Sequence, residues 1–295
     1  PGAGDLERQA AEGVALSLVA VALLLASVAI GAEAPPPAPP LQLPATVAQG
    51  DLVIGRTLPG SEVALGDRSL RVDAEGRFVF GVGRDHEGPV ALVARLPDGR
   101  LQTAQVPVTT REWKIERVDG VPQQTVTPDP AIAARIAREQ ARVVAARERD
   151  DARSDFAAGF RWPVRGRISG VFGSQRIYNG TPRSAHSGLD VAAPTGTPLR
   201  APAPGVVTFA DPGLYLTGGT VLIDHGHGVS SNFLHLSRLD VSVGDTVAAG
   251  QVIGAIGATG RATGPHMHWG MNWFDVRVDP RAVLEAYPAP EADAP

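Results

Sequence analysis

Four patterns of apolar and polar positions succeed one another along the chain. Val14 to Ala32 is an almost entirely apolar run without a charge, VALSLVAVALLLASVAIGA. A stretch of about 20 such residues is long enough to span a bilayer. Small residues close the run, so it equally suits a secretory segment cleaved after Ala32. Pro35-Pro36-Pro37-Ala38-Pro39-Pro40 comes next as a stiff, extended spacer. From about Thr46 to Thr110 short alternating runs appear, among them Arg77-Phe78-Val79-Phe80 and Val90-Ala91-Leu92-Val93-Ala94. Turn signals such as Pro59-Gly60, Glu75-Gly76 and Pro97-Asp98-Gly99 separate them, which predicts a small sandwich of short strands.

The third pattern is helical. Asp129 is a good N-cap and Pro130 suits the first helical position, where its missing N–H costs nothing. Ile132, Ile136, Val143 and Val144 recur at roughly helical spacing, and Gly159 is a natural stop. A helix over about 130–158 is predicted, most simply a connector packed on its own domain. From Trp162-Pro163 to about Pro280 the chain is strand-like again, rich in Gly and Pro, with no long helical period.

Composition narrows the chemistry. The net charge of −4 gives no reason to expect a nucleic-acid partner. Cysteine is absent, so a metal would have to be held by His, Asp or Glu. Four of the seven histidines fall in three short segments: Ala185-His186-Ser187-Gly188-Leu189-Asp190-Val191, Phe233-Leu234-His235-Leu236-Ser237 and Gly264-Pro265-His266-Met267-His268-Trp269. A catalytic zinc takes three protein ligands and keeps one position for water. His186 and Asp190 are four apart, and Gly188 and Pro194 argue against a helix. On a straight strand they would stand ~13 Å apart, too far to share an ion. The segment must therefore curl, with Ser187-Gly188 as the place where glycine's freedom at positive φ permits it. His266 and His268 would share one face of a strand, ~6–7 Å apart. Spacing alone does not say which of the two binds metal.

Other features carry less. His86, in Arg84-Asp85-His86-Glu87-Gly88, reads as a solvated turn residue. His225 and His227 read as turn residues rather than ligands. Trp269 and Trp273 read as core packing on the far side of the His-x-His strand. Val243-Gly244-Asp245 and Gly250-Gln251-Val252-Ile253-Gly254 look like parts of biotinyl- or lipoyl-type carriers. Such carriers need an acceptor lysine, and the one lysine of the chain is Lys114, far upstream.

Taken together, His186-Ser-Gly-Leu-Asp190, Leu234-His235-Leu236-Ser237 and Thr263-Gly-Pro-His266-Met-His268-Trp269 resemble the M23 (LytM/lysostaphin-type) zinc metallopeptidases, which cut peptidoglycan peptides. The resemblance covers about Pro163 to Pro280. It implies that His186, Asp190 and His268 are ligands of Zn2+. It also implies that His235 and His266 are the catalytic pair that works on water and the tetrahedral intermediate. Phe233-Leu234 stands where the family often has Tyr-Ala. Tyr178 and Arg183 are candidates for a further stabilising group.

The expected fold class is mainly β: a C-terminal antiparallel β peptidase domain, preceded by a module vaguely like bacterial Ig-like domains and by a connecting helix, with an N-terminal apolar segment. The expected divisions are a signal or anchor segment (1–34), a proline-rich linker (35–45), the small β module (46–112), a connector (113–161), the peptidase domain (162–282) and a flexible tail (283–295). The expected function is zinc-dependent endopeptidase action on peptidoglycan cross-links in the cell envelope, periplasmic, membrane-anchored or exported. Its partners would be stem or cross-bridge peptides, the inner membrane through an uncleaved N-terminus, and a regulatory protein. The alternative is a non-catalytic envelope protein that binds peptidoglycan or activates another cell-wall hydrolase.

Overall fold

The computed structural model describes residues 40–118, 129–178 and 180–290. The apolar run Val14–Ala32 lies outside them. Among the described residues no helix is long and apolar enough to cross a membrane.

The upstream module is built from β1 (Leu52–Arg56), β2 (Glu62–Leu65), β3 (Arg68–Leu70), β4 (Arg77–Gly81), β5 (Val90–Arg95) and β6 (Leu101–Val106). One antiparallel sheet runs β3-β2-β5-β6, and β1 pairs with β4 in a second. In β5 the alternation is strict: Val90, Leu92 and Ala94 are buried while the residues between face out. A period of two places them on one face, where they join Phe78 and Phe80.

This module does not end in a free linker. Gly81 lies so close to Trp273 and Val278 that a Cβ there would sit 3.0–3.1 Å from their side chains. The Arg111 guanidinium reaches the Asp279 carboxylate at 2.9 Å, and the Ile54 N–H donates to the Tyr287 hydroxyl at 2.9 Å. Beyond them β7 (Ile115–Val118) pairs in parallel with β9 (Gln175–Tyr178) of the peptidase domain.

Helix α1 (Pro130–Arg147) starts as the sequence predicts, with the Asp129 carboxylate accepting from the Ala131 N–H at 2.8 Å. It stops at Arg147, about a turn after Val143 and well short of residue 158. From there the chain is irregular until a 3-10 turn at Asp155–Ala158. The reason is tertiary. Arg153 is drawn to the buried Asp224 (2.6 Å) and to Asp155 (2.6 Å), and Phe156 is fully buried with its N–H on the His225 carbonyl. A continued helix would satisfy neither.

The peptidase-domain sheet has eight strands. The domain's principal strands are β8 (Arg167–Gly170), β10 (Leu189–Ala192), β11 (Gly205–Leu214), β12 (Gly218–Asp224), β13 (Val229–Leu236), β14 (Val252–Ala255, in a neighbouring small sheet), β15 (His266–Trp273) and β16 (Val276–Val278). The order in the large sheet is β8-β10-β15-β13-β12-β11, continued by Thr246–Val247, with β16 on the far half of β15. The central strands β12, β13 and β15 are buried on both faces, so they bury polar residues such as Ser231, Asn232 and Asn272 along with the apolar ones.

The C-terminal stretch is not a tail up to residue 290. Helix α2 (Pro280–Ala286) is capped by Asp279 and buries Val283 and Leu284. The chain then bonds to Phe160 through Tyr287 and Ala289.

Candidate active site

Asp190 and His268 sit directly opposite each other in the antiparallel pairing of β10 with β15. Cross-strand partners bring their side chains together, and the Asp190 Oδ1 lies 2.9 Å from the His268 Nδ1. His186 arrives from the irregular stretch before β10. Its N–H donates to the Ser174 carbonyl and its own carbonyl accepts from Gly173. Its Nε2 stands 3.1 Å from the Asp190 Oδ1 and 3.1 Å from the His268 Nδ1.

The curl required between His186 and Asp190 is present, but glycine serves it differently from expectation. Gly188 is not in the left-handed region. It is needed because a Cβ there would meet the Trp269 carbonyl oxygen at 2.3 Å and the His268 Nε2 at 2.8 Å. Gly170 on β8 has the same use on the other side, where a Cβ would fall 2.4 Å from the Asp190 Oδ2.

These three donor atoms fit a cation. The His186 Nδ1 is 2.9 Å from the Val171 carbonyl, which can only accept. Nδ1 therefore carries the hydrogen, and Nε2 presents a lone pair to the cluster. Ligand atoms held 2.0–2.1 Å from a tetrahedral zinc lie roughly 3.3 Å apart, close to the spacing found. Burial alone would raise the Asp190 carboxyl, but the close approach of the His186 and His268 rings outweighs it and holds the group well below the usual carboxylate range. Burial pushes His268 down to about 4. At neutral pH the cluster is thus a carboxylate with unprotonated imidazole, the state a metal needs. Among the described residues it is the one group of three or more such side chains close enough to share an ion.

His235 and His266 face this cluster as a second pair, with ring centroids 4.8 Å apart. His266 stands two residues before His268 on β15, its Nε2 3.9 Å from the Asp190 Oδ1. Its Nδ1 donates to the Gly264 carbonyl at 2.8 Å. His235 lies near the end of β13 with φ +65°, unusual for a residue with a side chain. The β12–β13 ladder is irregular there, and the His235 N–H bonds instead to the Thr217 carbonyl. The His235 Nδ1 donates to the Thr259 carbonyl at 2.8 Å. Both rings therefore hold their hydrogen on Nδ1 and have Nε2 as the basic nitrogen. Burial shifts His235 downward, outweighing the Thr259 carbonyl.

All five sequence-predicted residues line or adjoin one groove of about 1000 Å³. Sequence reasoning missed part of its wall. Lys114 comes from just before β7, Glu116 from β7 itself, Arg167 from β8 and Arg261 from the loop before β15. Being the only lysine was the one signal Lys114 offered. Arg183 also lines the groove, whereas the Tyr178 side chain lies outside the described part of the structure.

The remaining histidines stay apart from it. His225 is fully buried, its Nδ1 donating to the Pro204 carbonyl at 2.6 Å and its Nε2 2.9 Å from the Ser231 hydroxyl. His227 is buried against Phe156. His86 is half-buried rather than solvated, and its Nε2 is shielded from water. Trp269 and Trp273 are core residues.

An antiparallel sheet carrying a His/Asp/His donor cluster, with two more imidazoles across a groove, defines a candidate metallopeptidase centre. Residues 184–280 match the model of Peptidase family M23. The chain also superposes on the crystal structure of a Pseudomonas aeruginosa protein assigned to peptidase M23, at a TM-score of 0.63 and 32% identity, over 81% of this chain and 95% of that one. The chain belongs to peptidase family M23. It is 46% identical over 107 residues to the DD-carboxypeptidase/endopeptidase Mpg of Neisseria meningitidis, covering 36% of this chain and 24% of that protein. It is 43% identical over 112 residues to the peptidoglycan DD-endopeptidase ShyA of Vibrio cholerae, covering 37% and 26%. The match thus spans about a quarter of the length of these curated relatives.

Proposed function

We propose that this chain is a zinc-dependent endopeptidase that hydrolyses peptide cross-links of bacterial peptidoglycan in the cell envelope. The observation that carries the reading is the convergence of His186 Nε2, Asp190 Oδ1 and His268 Nδ1 within 3.1 Å of one another, with His235 and His266 beside them. The names of the relatives support the substrate. The Val14–Ala32 run supports export or anchoring.

His186, Asp190 and His268 would hold the zinc, which when bound lowers the pKa of a water to about 7 and polarises the peptide carbonyl. The two imidazoles move the protons. As a water oxygen adds to the carbonyl carbon, its proton passes to Nε2 of one ring, fixed as the basic nitrogen by the Nδ1 bond to Thr259 or Gly264. The other ring, when it also carries a proton on Nε2, donates that hydrogen to the oxygen that gains charge. The proton then goes to the amine nitrogen as the C–N bond breaks. Holding each tautomer through a backbone carbonyl is what lets a histidine act near neutral pH. The non-catalytic alternative is not favoured, since His186, Asp190, His235, His266 and His268 all line one groove.

The test uses the full chain, with metal content by mass spectrometry and muropeptide release from isolated peptidoglycan. About one zinc per chain and release abolished by a chelator are expected. His186→Ala should lose both metal and activity, and His235→Ala activity alone. A folded protein that holds no zinc would overturn the reading.

A further inference from the structure

The charge lining the groove does not match the protein around it. The whole chain carries a net charge of −4. The groove is lined by four basic residues, Lys114, Arg167, Arg183 and Arg261, against two acidic ones, Glu116 and Asp190. Asp190 is committed to His186 and His268. Several arginines elsewhere are matched to carboxylates, among them Arg77 to Asp73, Arg111 to Asp279, Arg142 to Asp211, Arg153 to Asp224 and Arg238 to Asp240. Among the described residues Lys114, Arg167 and Arg261 have no such partner.

These three are held in place by their backbones. Lys114 follows Trp113, whose ring packs where a Cβ of Gly173 would be and which Arg84 and Arg111 cover as cations. The Lys114 carbonyl accepts from the Gln175 N–H at 2.9 Å. Arg167 is paired across β8–β10 with Ala192, whose other neighbour is His266. The Arg261 N–H is fixed to the Leu216 carbonyl at 2.8 Å. Its charge is felt at His235, where it adds a little to the downward shift that burial causes first. The cations therefore enter the lining of the groove from three separate segments.

Resting on the peptidase reading, we propose that Lys114, Arg167 and Arg261 select peptides that carry free carboxylates beside the scissile bond, as stem-peptide cross-links do, over neutral glycine bridges. The upstream segment would then be part of the substrate site rather than a spacer. Guanidinium and ammonium groups suit carboxylates, and like-signed groups in a cleft concentrate an anionic ligand.

The test is a matched pair of cross-linked stem peptides, one with free carboxylates and one with those carboxylates amidated, offered to the full chain at low salt. Wild type should cleave the free-acid peptide at least tenfold better in kcat/KM. Lys114→Gln, Arg167→Gln and Arg261→Gln should each lower kcat/KM on the free-acid peptide, through KM, about fivefold more than on the amidated one. Added salt should mimic them. Equal cleavage of both peptides by wild type, or variants that lose equally on both, would overturn the proposal. Fluorescence-anisotropy binding of the same peptides separates the two readings. Carboxylate-dependent binding without cleavage would keep the groove's preference and sink the peptidase assignment; binding indifferent to amidation would sink the preference itself.

Discussion

Individual residues decide how closely the donor atoms approach. Gly188 permits the Trp269 carbonyl and the His268 ring to lie against it. In Gly188→Ala the chain must shift away from β15, which displaces His268 relative to His186. Perturbing the shell behind a metal ligand typically costs 10–100-fold in affinity, and that loss is the expected result in a zinc titration against a competing chelator. Unchanged affinity would mean that the backbone yields without cost. His225 offers a separate prediction, away from the metal cluster. Burial pushes it down to about 4 from its ordinary 6.5. Between those values the unfolded chain binds the extra proton and the folded one does not, so stability rises with pH there and falls on acidification. The shift corresponds to about 3 kcal/mol, fully present above pH 6.5. Urea midpoints at pH 7 and pH 4.5 should differ less in His225→Asn than in wild type. An identical difference in both would dissociate His225 from acid sensitivity. At this scale the sequence was most legible, because ligand chemistry restricts residue type. The five histidine and aspartate positions stand out as motifs, while the roles of the Val171, Thr259 and Gly264 carbonyls do not. A backbone acceptor exists at every residue and leaves no trace in sequence.

Elements were legible where one periodicity ruled and illegible where a distant partner overrode it. The start of α1 follows from Asp129 and Pro130. Its end does not, because Arg147 to Asp151 is compatible with a helix on local grounds. The chain leaves the helix to deliver Arg153 to Asp224 and Phe156 to the core. Asp224 is buried and its carboxyl is raised, burial outweighing the Arg153 charge. Arg153→Ala would strand that carboxylate, with only Arg149 at 3.7 Å as a remote cation. Removing one partner of a buried pair costs about 3 kcal/mol, to be read as a lower denaturation midpoint at pH 7. Adding Asp224→Asn to the variant should recover part of the loss, since the stranded charge goes. No recovery would place the cost in lost packing. The same logic explains why 283–290 looked like a tail. Eight residues with two prolines carry no period of their own, and their order comes from Phe160 and Ile54.

The whole molecule is where sequence reading fell furthest short, for a physical reason. A module boundary is inferred from a change of pattern, and the pattern does change near Thr110. Patterns report which faces are apolar, however, and not what covers them. One contiguous apolar cluster runs from Val53, Phe78 and Phe80 of the upstream module to Trp269, Trp273 and Val278 of the peptidase domain. Gly81 is pressed onto Trp273, and Arg111 is locked to Asp279. β7 adds a strand beside β9 along the groove. Two bodies sharing a core lose much of each other's burial when one opens, at about 25 cal/mol per Å² of apolar surface exposed. The full chain should therefore unfold in one calorimetric transition, its calorimetric and van't Hoff enthalpies agreeing. A fragment beginning at Pro163 exposes Trp273, Val276 and Val278 and lacks Lys114 and the strand that follows it. It should melt well below the full chain, and zinc should raise its midpoint without restoring the difference. Two resolved transitions in the full chain, or a fragment that melts with the parent, would show instead that the modules are energetically separate and that β7 only rests against the groove.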